Sequence, residues 1–211
     1  DPQNVRITNI ASASFTVSYT TEAQVIGSVN YGKDQNLGQT SLDDRDENGQ
    51  INPRYIHYIT IKNLDPSTTY YFSITSGTTE YRNDGNLYQI ATGPDIGRPI
   101  TEDSLIKGAV TFSQDQESEA VVYVTAPNAS TLSTVVGSDG KYSLLLNIFK
   151  NKDLTEFFGF NENTVFDMLV QGHKEASKIK FNLPPNGDLA PIILSQDFDF
   201  TQDNTSEQTT T

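Results

Sequence analysis

Apolar residues recur at every second position over much of this chain, the period of strands rather than helices. Residues 3–8 (Q-N-V-R-I-T) alternate as a first edge strand would. Phe15, Val17 and Tyr19 alternate with Thr16 and Ser18, which predicts a half-buried strand with one wet face. Val25 to Tyr31 reads as the next strand, with Gly32 ending it, and a long polar segment then runs from Lys33 to Pro53. From Tyr55 to Ile61 alternation resumes, with Ile56, Tyr58 and Thr60 on one face and Tyr55, His57, Ile59 and Ile61 on the other. Leu64 and Pro66 make an apolar corner feeding a strand from Thr69 to Ile74. Leu87 to Thr92 follows a turn at Asn83-Asp84-Gly85. Some seven short strands in the first 93 residues predict an immunoglobulin-like sandwich.

Gly93 to Glu102 has two prolines, two glycines and almost no periodicity, and reads as a short, partly stiffened linker. Beyond it come further strands at 105–112, 119–125, 131–136, 138–146, 165–172, 177–183 and 191–200. Asp139-Gly140 predicts a tight turn that sends Tyr142 and Leu144 into a core. Phe149 to Phe160 concentrates four phenylalanines in an inserted segment with room for one or two helical turns; core filling is its simplest use. Gln202 to Thr211 is rich in Thr, Ser, Asn and Gln and reads as a disordered tail.

The corner spacing L-x-P-x-T-x-Y-x-F-x-I (Leu64, Pro66, Thr68, Tyr70, Phe72, Ile74) closely resembles the corner before the penultimate strand of fibronectin type III domains. Together with Y-T-T-E-A, G-S-V-N-Y-G and H-Y-I-T-I, it also resembles the small N-terminal sandwich of purple acid phosphatases. In the second half, I-x-G-x-V from Ile106, A-x-V-x-V from Ala120 and D-G-x-Y-S-L from Asp139 resemble carboxypeptidase regulatory-like domains, which have a transthyretin-like sandwich. These resemblances imply an all-β chain of two tandem β-sandwich domains. Residues 1–93 would be fibronectin type III-like, 94–103 a linker, 104–200 transthyretin-like and 201–211 a tail.

Charge and composition narrow the function. The formal net charge is −13, from 27 acidic and 14 basic residues, with no basic cluster to offset it locally, so nucleic-acid binding is not expected. Cysteine and tryptophan are absent, which removes disulfides, thiolate metal sites and cysteine nucleophiles, and the commonest sugar-stacking ring. No apolar run is long enough to span a membrane. The chain begins Asp1-Pro2 rather than with Met, from which removal of a leader or upstream region is expected.

Candidate chemistry is sparse. Purple acid phosphatases hold two metals with aspartates and several histidines in a separate domain. The two histidines here, His57 and His173, cannot supply such a set and read as a packed or half-exposed strand residue and a turn residue. No G-x-S-x-G is present. The strongest chemical candidate is Asp44 to Asn52, D-R-D-E-N-G-Q-I-N, whose Asp44, Asp46, Asn48 and Gly49 match the opening of a calcium loop. Asp44, Asp46, Asn48 and Gln50 are its candidate ligands, with Asp43 or Glu47 as substitutes; the twelfth position is Tyr55, where a glutamate would be expected. An acidic, solvated loop with a turn at Asn48-Gly49 accounts for the same residues. Tyr81 and Tyr88 flank a turn, either as recognition anchors or as cross-sheet aromatic pairs. Asn128 and Asn204 head glycosylation-type triplets.

The functional expectation is a non-catalytic segment of a larger extracellular or cell-surface protein, prokaryotic in type, serving in structure or adhesion. Its partner would be a protein or surface polymer. An accessory module of a secreted hydrolase and a self-assembling filament subunit are the alternatives.

Overall fold

The computed structural model describes residues 1–46, 49–99, 104–113 and 118–201. These residues form sixteen strands and no helix. They divide into two compact units, one of residues 1–100 with 150–157, the other of 101–149 with 158–211.

The first unit is a fibronectin type III-like β-sandwich. One sheet has the order β1-β2-β5: β1 (Gln3–Thr8), β2 (Ser14–Val25) and β5 (Arg54–Lys62). The other has β3 (Gly27–Gly32) between β4 (Gln39–Leu42) and β6 (Thr69–Ser76), with β7 (Thr79–Tyr81) and β8 (Tyr88–Ala91) both on the far side of β6. β7 pairs with Ile74–Ser76 and β8 with Thr69–Phe72, so the two share one edge, interrupted at the Asn83–Asn86 bridge. Asp84 and Gly85 both have positive φ there, 48° and 82°, as a two-residue type I′ hairpin turn requires.

The alternating residues meet where the pattern predicts. Phe15, Val17, Tyr19, Val29, Ile59, Ile61, Phe72 and Ile74 form the buried core, joined by Leu64 and Tyr70 from the corner. Two sequence expectations need correction. β4 lies inside the segment taken as wholly polar, because Gln39–Leu42 carries too little apolar content to announce a strand. The face of β2 expected to be wet is dry: Thr16 and Ser18 are buried. β2 is the central strand of its sheet. Thr16 Oγ1 lies 3.1 Å from Thr60 Oγ1 and accepts from Asn9 Nδ2 at 3.2 Å, so hydroxyls satisfy one another under a polar cover.

The second unit packs the sheet β11-β10-β13-β14-β16 over β12-β9-β15. Its strands are β9 (Leu105–Thr111), β10 (Ala120–Thr125), β11 (Leu132–Val135), β12 (Lys141–Leu145), β13 (Val165–Gly172), β14 (Ala176–Asn182), β15 (Ile192–Ile193) and β16 (Phe198–Asp199). Between the sheets lies an apolar core that includes Ile106, Val122, Val124, Leu146, Phe149, Phe166, Met168, Ile179 and Phe181. The Asp139-Gly140 turn forms as expected, with Gly140 at φ 77° and Lys141 N donating to Asp139 Oδ1 at 3.0 Å. Tyr142 and Leu144 are buried behind it.

The Phe149–Phe160 segment is not helical. Lys150 and Phe157 form an antiparallel bridge, and Asn151 Oδ1 accepts from Thr155 N at 2.9 Å. A side-chain acceptor four residues back takes a backbone donor that a helix would need. Phe149 is fully buried and touches Phe158 and Phe166, with Phe160 against Phe166, so three of the four rings do fill the second core. Lys150 to Phe157 belongs to the first unit, where Lys150 Nζ donates to the Ile10 carbonyl at 3.4 Å.

Candidate functional site

The corner that opens β6 is tied by its tyrosine. Asp65 N–H donates to the buried Tyr70 hydroxyl at 3.0 Å, and Thr92 Oγ1 donates to the Asp65 carbonyl at 2.7 Å. A concave pocket of about 520 Å³ adjoins it, lined by Lys33, Asp34, Asn36, Asn63, Asp65 and Tyr70 among others. Lys33 and Asp65 are ion-paired at this surface, both more than half exposed, so their pairing contributes little.

The acidic segment after β4 carries the densest charge in the first unit. Arg45 grips the Asp43 carboxylate in two places, Nε to Oδ1 at 2.7 Å and Nη2 to Oδ2 at 2.9 Å, the fork geometry that strengthens such pairs. Arg54 Nη2 donates to Asp46 Oδ1 at 3.1 Å, and its Nε lies 3.7 Å from Asp43 Oδ1. The side chains of Asp43 and Asp46 are only 2% and 3% exposed. Burial by itself would raise the Asp43 carboxyl, but the Arg45 hydrogen bond and charge, with the Tyr58 and Arg45 N–H groups, hold it below the usual carboxylate range.

These carboxylates also cover a strand edge. Asp43 Oδ2 accepts from Tyr58 N at 2.9 Å, Asp44 Oδ1 accepts from Thr60 N at 2.9 Å, and Asp44 N donates to the Tyr58 carbonyl at 2.9 Å. Tyr58 and Thr60 are alternate residues of β5, whose backbone groups on that side would otherwise stand unpaired. Two adjacent aspartates thus do what a neighbouring strand would do.

Of the candidate calcium ligands, then, Asp44 and Asp46 spend their oxygens on Thr60, Asn52 N and Arg54. Gln50 is exposed, and Asn48 lies outside the described residues. Among the described residues, no group of three or more His, Asp or Glu side chains is placed to hold a metal ion. Arg45 and Arg54 offset part of the segment's negative charge.

Sequence reasoning missed what lies beneath. His57 and Tyr19 stack with ring centroids 4.4 Å apart and planes 18° from parallel, at 0% and 1% exposure. Neither imidazole nitrogen nor the Tyr19 hydroxyl has a hydrogen-bond partner among the described residues. Gly27 makes the approach possible: a Cβ there would stand 2.2 Å from Tyr19 Oη and 2.3 Å from His57 Nδ1. Burial, then the Asp43 charge, pushes the Tyr19 phenol well above its ordinary range. Burial is also the main reason the His57 imidazole is pushed down to about 4. Asp43 opposes that shift, Arg45 and Arg54 reinforce it, and the Arg54 backbone favours the cation without meeting hydrogen-bond geometry. The sequence signal was available: an acidic run interrupted by Arg45, with Arg54 after it, precedes a strand whose only histidine shares a face with Ile59 and Ile61.

His173 sits in the tight turn between β13 and β14. Tyr88 stacks on Phe72 at 4.8 Å, and Tyr81 packs against the first core while its hydroxyl donates to Asp1 Oδ1 at 2.8 Å. Tyr88 makes the aromatic pair of the second reading, whereas Tyr81 lies opposite Ile74 in the β6–β7 register. Asn128 is exposed in a turn with φ 64°, and Asn204 lies outside the described residues.

No curated protein matches the chain. The family model for the purple acid phosphatase N-terminal domain matches residues 2–92, the length of the first sandwich. Among solved structures, the sensor domain of the anti-sigma factor RsgI4 in Pseudobacteroides cellulosolvens is 20% identical, with 43% of this chain and 95% of that chain covered and a TM-score of 0.30. PhoD is 12% identical over 52% of this chain and 22% of that one, with a TM-score of 0.31. A two-domain fibronectin type III segment from chicken tenascin is 13% identical over 85% and 97%, with a TM-score of 0.26. The first ninety or so residues are therefore similar to the N-terminal domain of purple acid phosphatases.

Proposed function

We propose that this chain is a non-catalytic segment of a larger extracellular or cell-surface protein, built of two β-sandwiches that space or present neighbouring parts. The carrying observation is how the polar side chains are used. Asp43, Asp44, Asp46, Arg45 and Arg54 pair with one another or cap a strand edge, and His57 is buried against the Tyr19 ring. Chemistry needs groups that are unengaged and convergent; here they are spent on the fold. The second unit, on this reading, is the transthyretin-like partner sandwich. Incubating the full chain with a chromogenic phosphomonoester and added zinc, iron or manganese tests the reading: no turnover is expected, and metal-dependent turnover would contradict it.

An accessory role beside a secreted hydrolase is the second reading, and the family match over residues 2–92 favours it. The complete gene product separates the two. A metallophosphatase domain in it supports the accessory role, and a membrane anchor or further sandwiches support the surface role. Among the described residues no helix is long and apolar enough to cross a membrane. A filament subunit is the third reading, and a monomer by light scattering across concentrations would remove it.

A further inference from the structure

His57 occupies a particular place in β5. Its ring faces inward onto Tyr19, while the backbone of its two neighbours holds the acidic segment: the Ile56 carbonyl accepts from Arg45 Nη2, and Tyr58 N donates to Asp43 Oδ2. The same arginine and aspartate grip each other. A change at residue 57 is thus transmitted through one peptide unit on either side to both ends of that ion pair.

Charged and titratable groups face the imidazole from every element around it. Tyr19 comes from β2, Asp43 and Arg45 from the segment after β4, and Arg54 from β5 itself; β3 contributes Gly27, which has no side chain. Among the described residues the ionic groups that act on the ring are Asp43, Arg45 and Arg54; Asp46 pairs with Arg54, and Asp44 adds a further carboxylate at Thr60. A proton on His57 adds a buried positive charge beside two guanidiniums, with neither ring nitrogen hydrogen-bonded. Such a charge is not tolerated at full burial, so the ring must reach water or stay neutral.

We propose that the Tyr19–His57–Gly27 stack is an acid-sensitive latch: protonation of His57 drives it out of its slot and releases residues 43–46 from the β5 edge. Release exposes the N–H groups of Tyr58 and Thr60 and the Tyr58 carbonyl, while the core at Phe15, Phe72 and Ile74 remains packed. The released form is an open strand edge, the kind of surface that pairs with another strand. The linkage runs in one direction. A histidine whose pKa is lowered by folding contributes its full stability above its unfolded value of about 6.5 and loses it as pH falls toward the folded value.

The test uses the full chain. Side-chain NMR gives the His57 titration, and native-state amide exchange, corrected for intrinsic rates, follows Tyr58 and Thr60 from about pH 7 to about pH 4.5. In the wild type their exchange accelerates about tenfold or more, the factor that one unit of pKa difference supplies, and their protection stays well below that of Phe72 and Ile74, so they open without the core. His57→Phe keeps a stacking ring and removes the proton, and its Tyr58 and Thr60 amides lose this acid response. An unchanged response in His57→Phe overturns the latch, as does protection at Tyr58 and Thr60 equal to that at Phe72 and Ile74 at the acid end. If His57→Phe does not fold, the wild-type titration decides: a ring pKa above about 6 overturns the proposal, and one near the folded value supports it.

Discussion

The two sandwiches solve the same packing problem with different materials. The second fills its interior with apolar side chains: Phe149, Phe166 and Phe181 stack or meet edge to face around Met168 and Ile179. The hydroxyl of one buried tyrosine there, Tyr142, lies 3.8 Å from the Met168 sulfur. The first places an imidazole and a phenol, neither hydrogen-bonded among the described residues, at the end of its core and, outside them, an ion-pair network over the edge of β5. Apolar burial is insensitive to pH, whereas buried charges and a neutral histidine are not. One sandwich should therefore be acid-sensitive where the other is not.

The largest expected effects come from the cores. Phe166→Ala in the second unit costs about 3–5 kcal/mol, and urea titrations should give the same loss at neutral and mildly acidic pH. A pH-dependent loss would break the contrast. Asp43→Ala strands Arg45 and Arg54 without their shared carboxylate and costs about 3 kcal/mol at neutral pH. Asp43 has a lowered pKa, so its contribution persists as pH falls to its ordinary value of 3.8 and disappears only below it. Acid loss attributable to Asp43 thus falls in a lower window than that of His57, and urea midpoints of the variant and the wild type between about pH 6 and pH 3 separate them.

Gly27→Ala pushes a methyl against Tyr19 Oη and His57 Nδ1 and should cost about 1–3 kcal/mol by thermal or urea denaturation. Tyr70→Phe removes the acceptor of Asp65 N–H at the corner, for about 1 kcal/mol. The smallest effect sharpens the reading of the acidic segment. Because Asp44 and Asp46 already serve Thr60 and Arg54, melting curves with calcium and with a chelator should superimpose. A calcium-dependent rise would restore the metal-loop reading.

The strands were legible because alternation is a direct image of a sheet with a buried face. Tyr70, Phe72 and Ile74 stand where the corner spacing puts them, and the Asp84-Gly85 and Asp139-Gly140 turns form where glycine permits positive φ. What escaped were features set by tertiary partners. β4 is held by its pairing with β3 rather than by its own residues, and Thr16 and Ser18 are buried because polar neighbours cover them. The Asn151 side chain overrode the helical spacing of Phe149–Phe160. Ligand types and spacing also say nothing about the arginines that reach Asp43 from two and eleven residues beyond it. Carboxylates that cover a strand edge and carboxylates that hold an ion share a composition. Only their partners tell them apart.

The most direct measurement is a urea titration of the full chain at about pH 7 and about pH 5, read separately over β2–β5 and over β10–β13 by pulse-labelling hydrogen exchange. In that interval the carboxylates stay largely ionised and histidine is the side chain that titrates. The account predicts that the first sandwich loses about 2 kcal/mol while the second holds, the size expected for a histidine moved from about 6.5 to about 4. Equal movement of both sandwiches, or of neither, would contradict it.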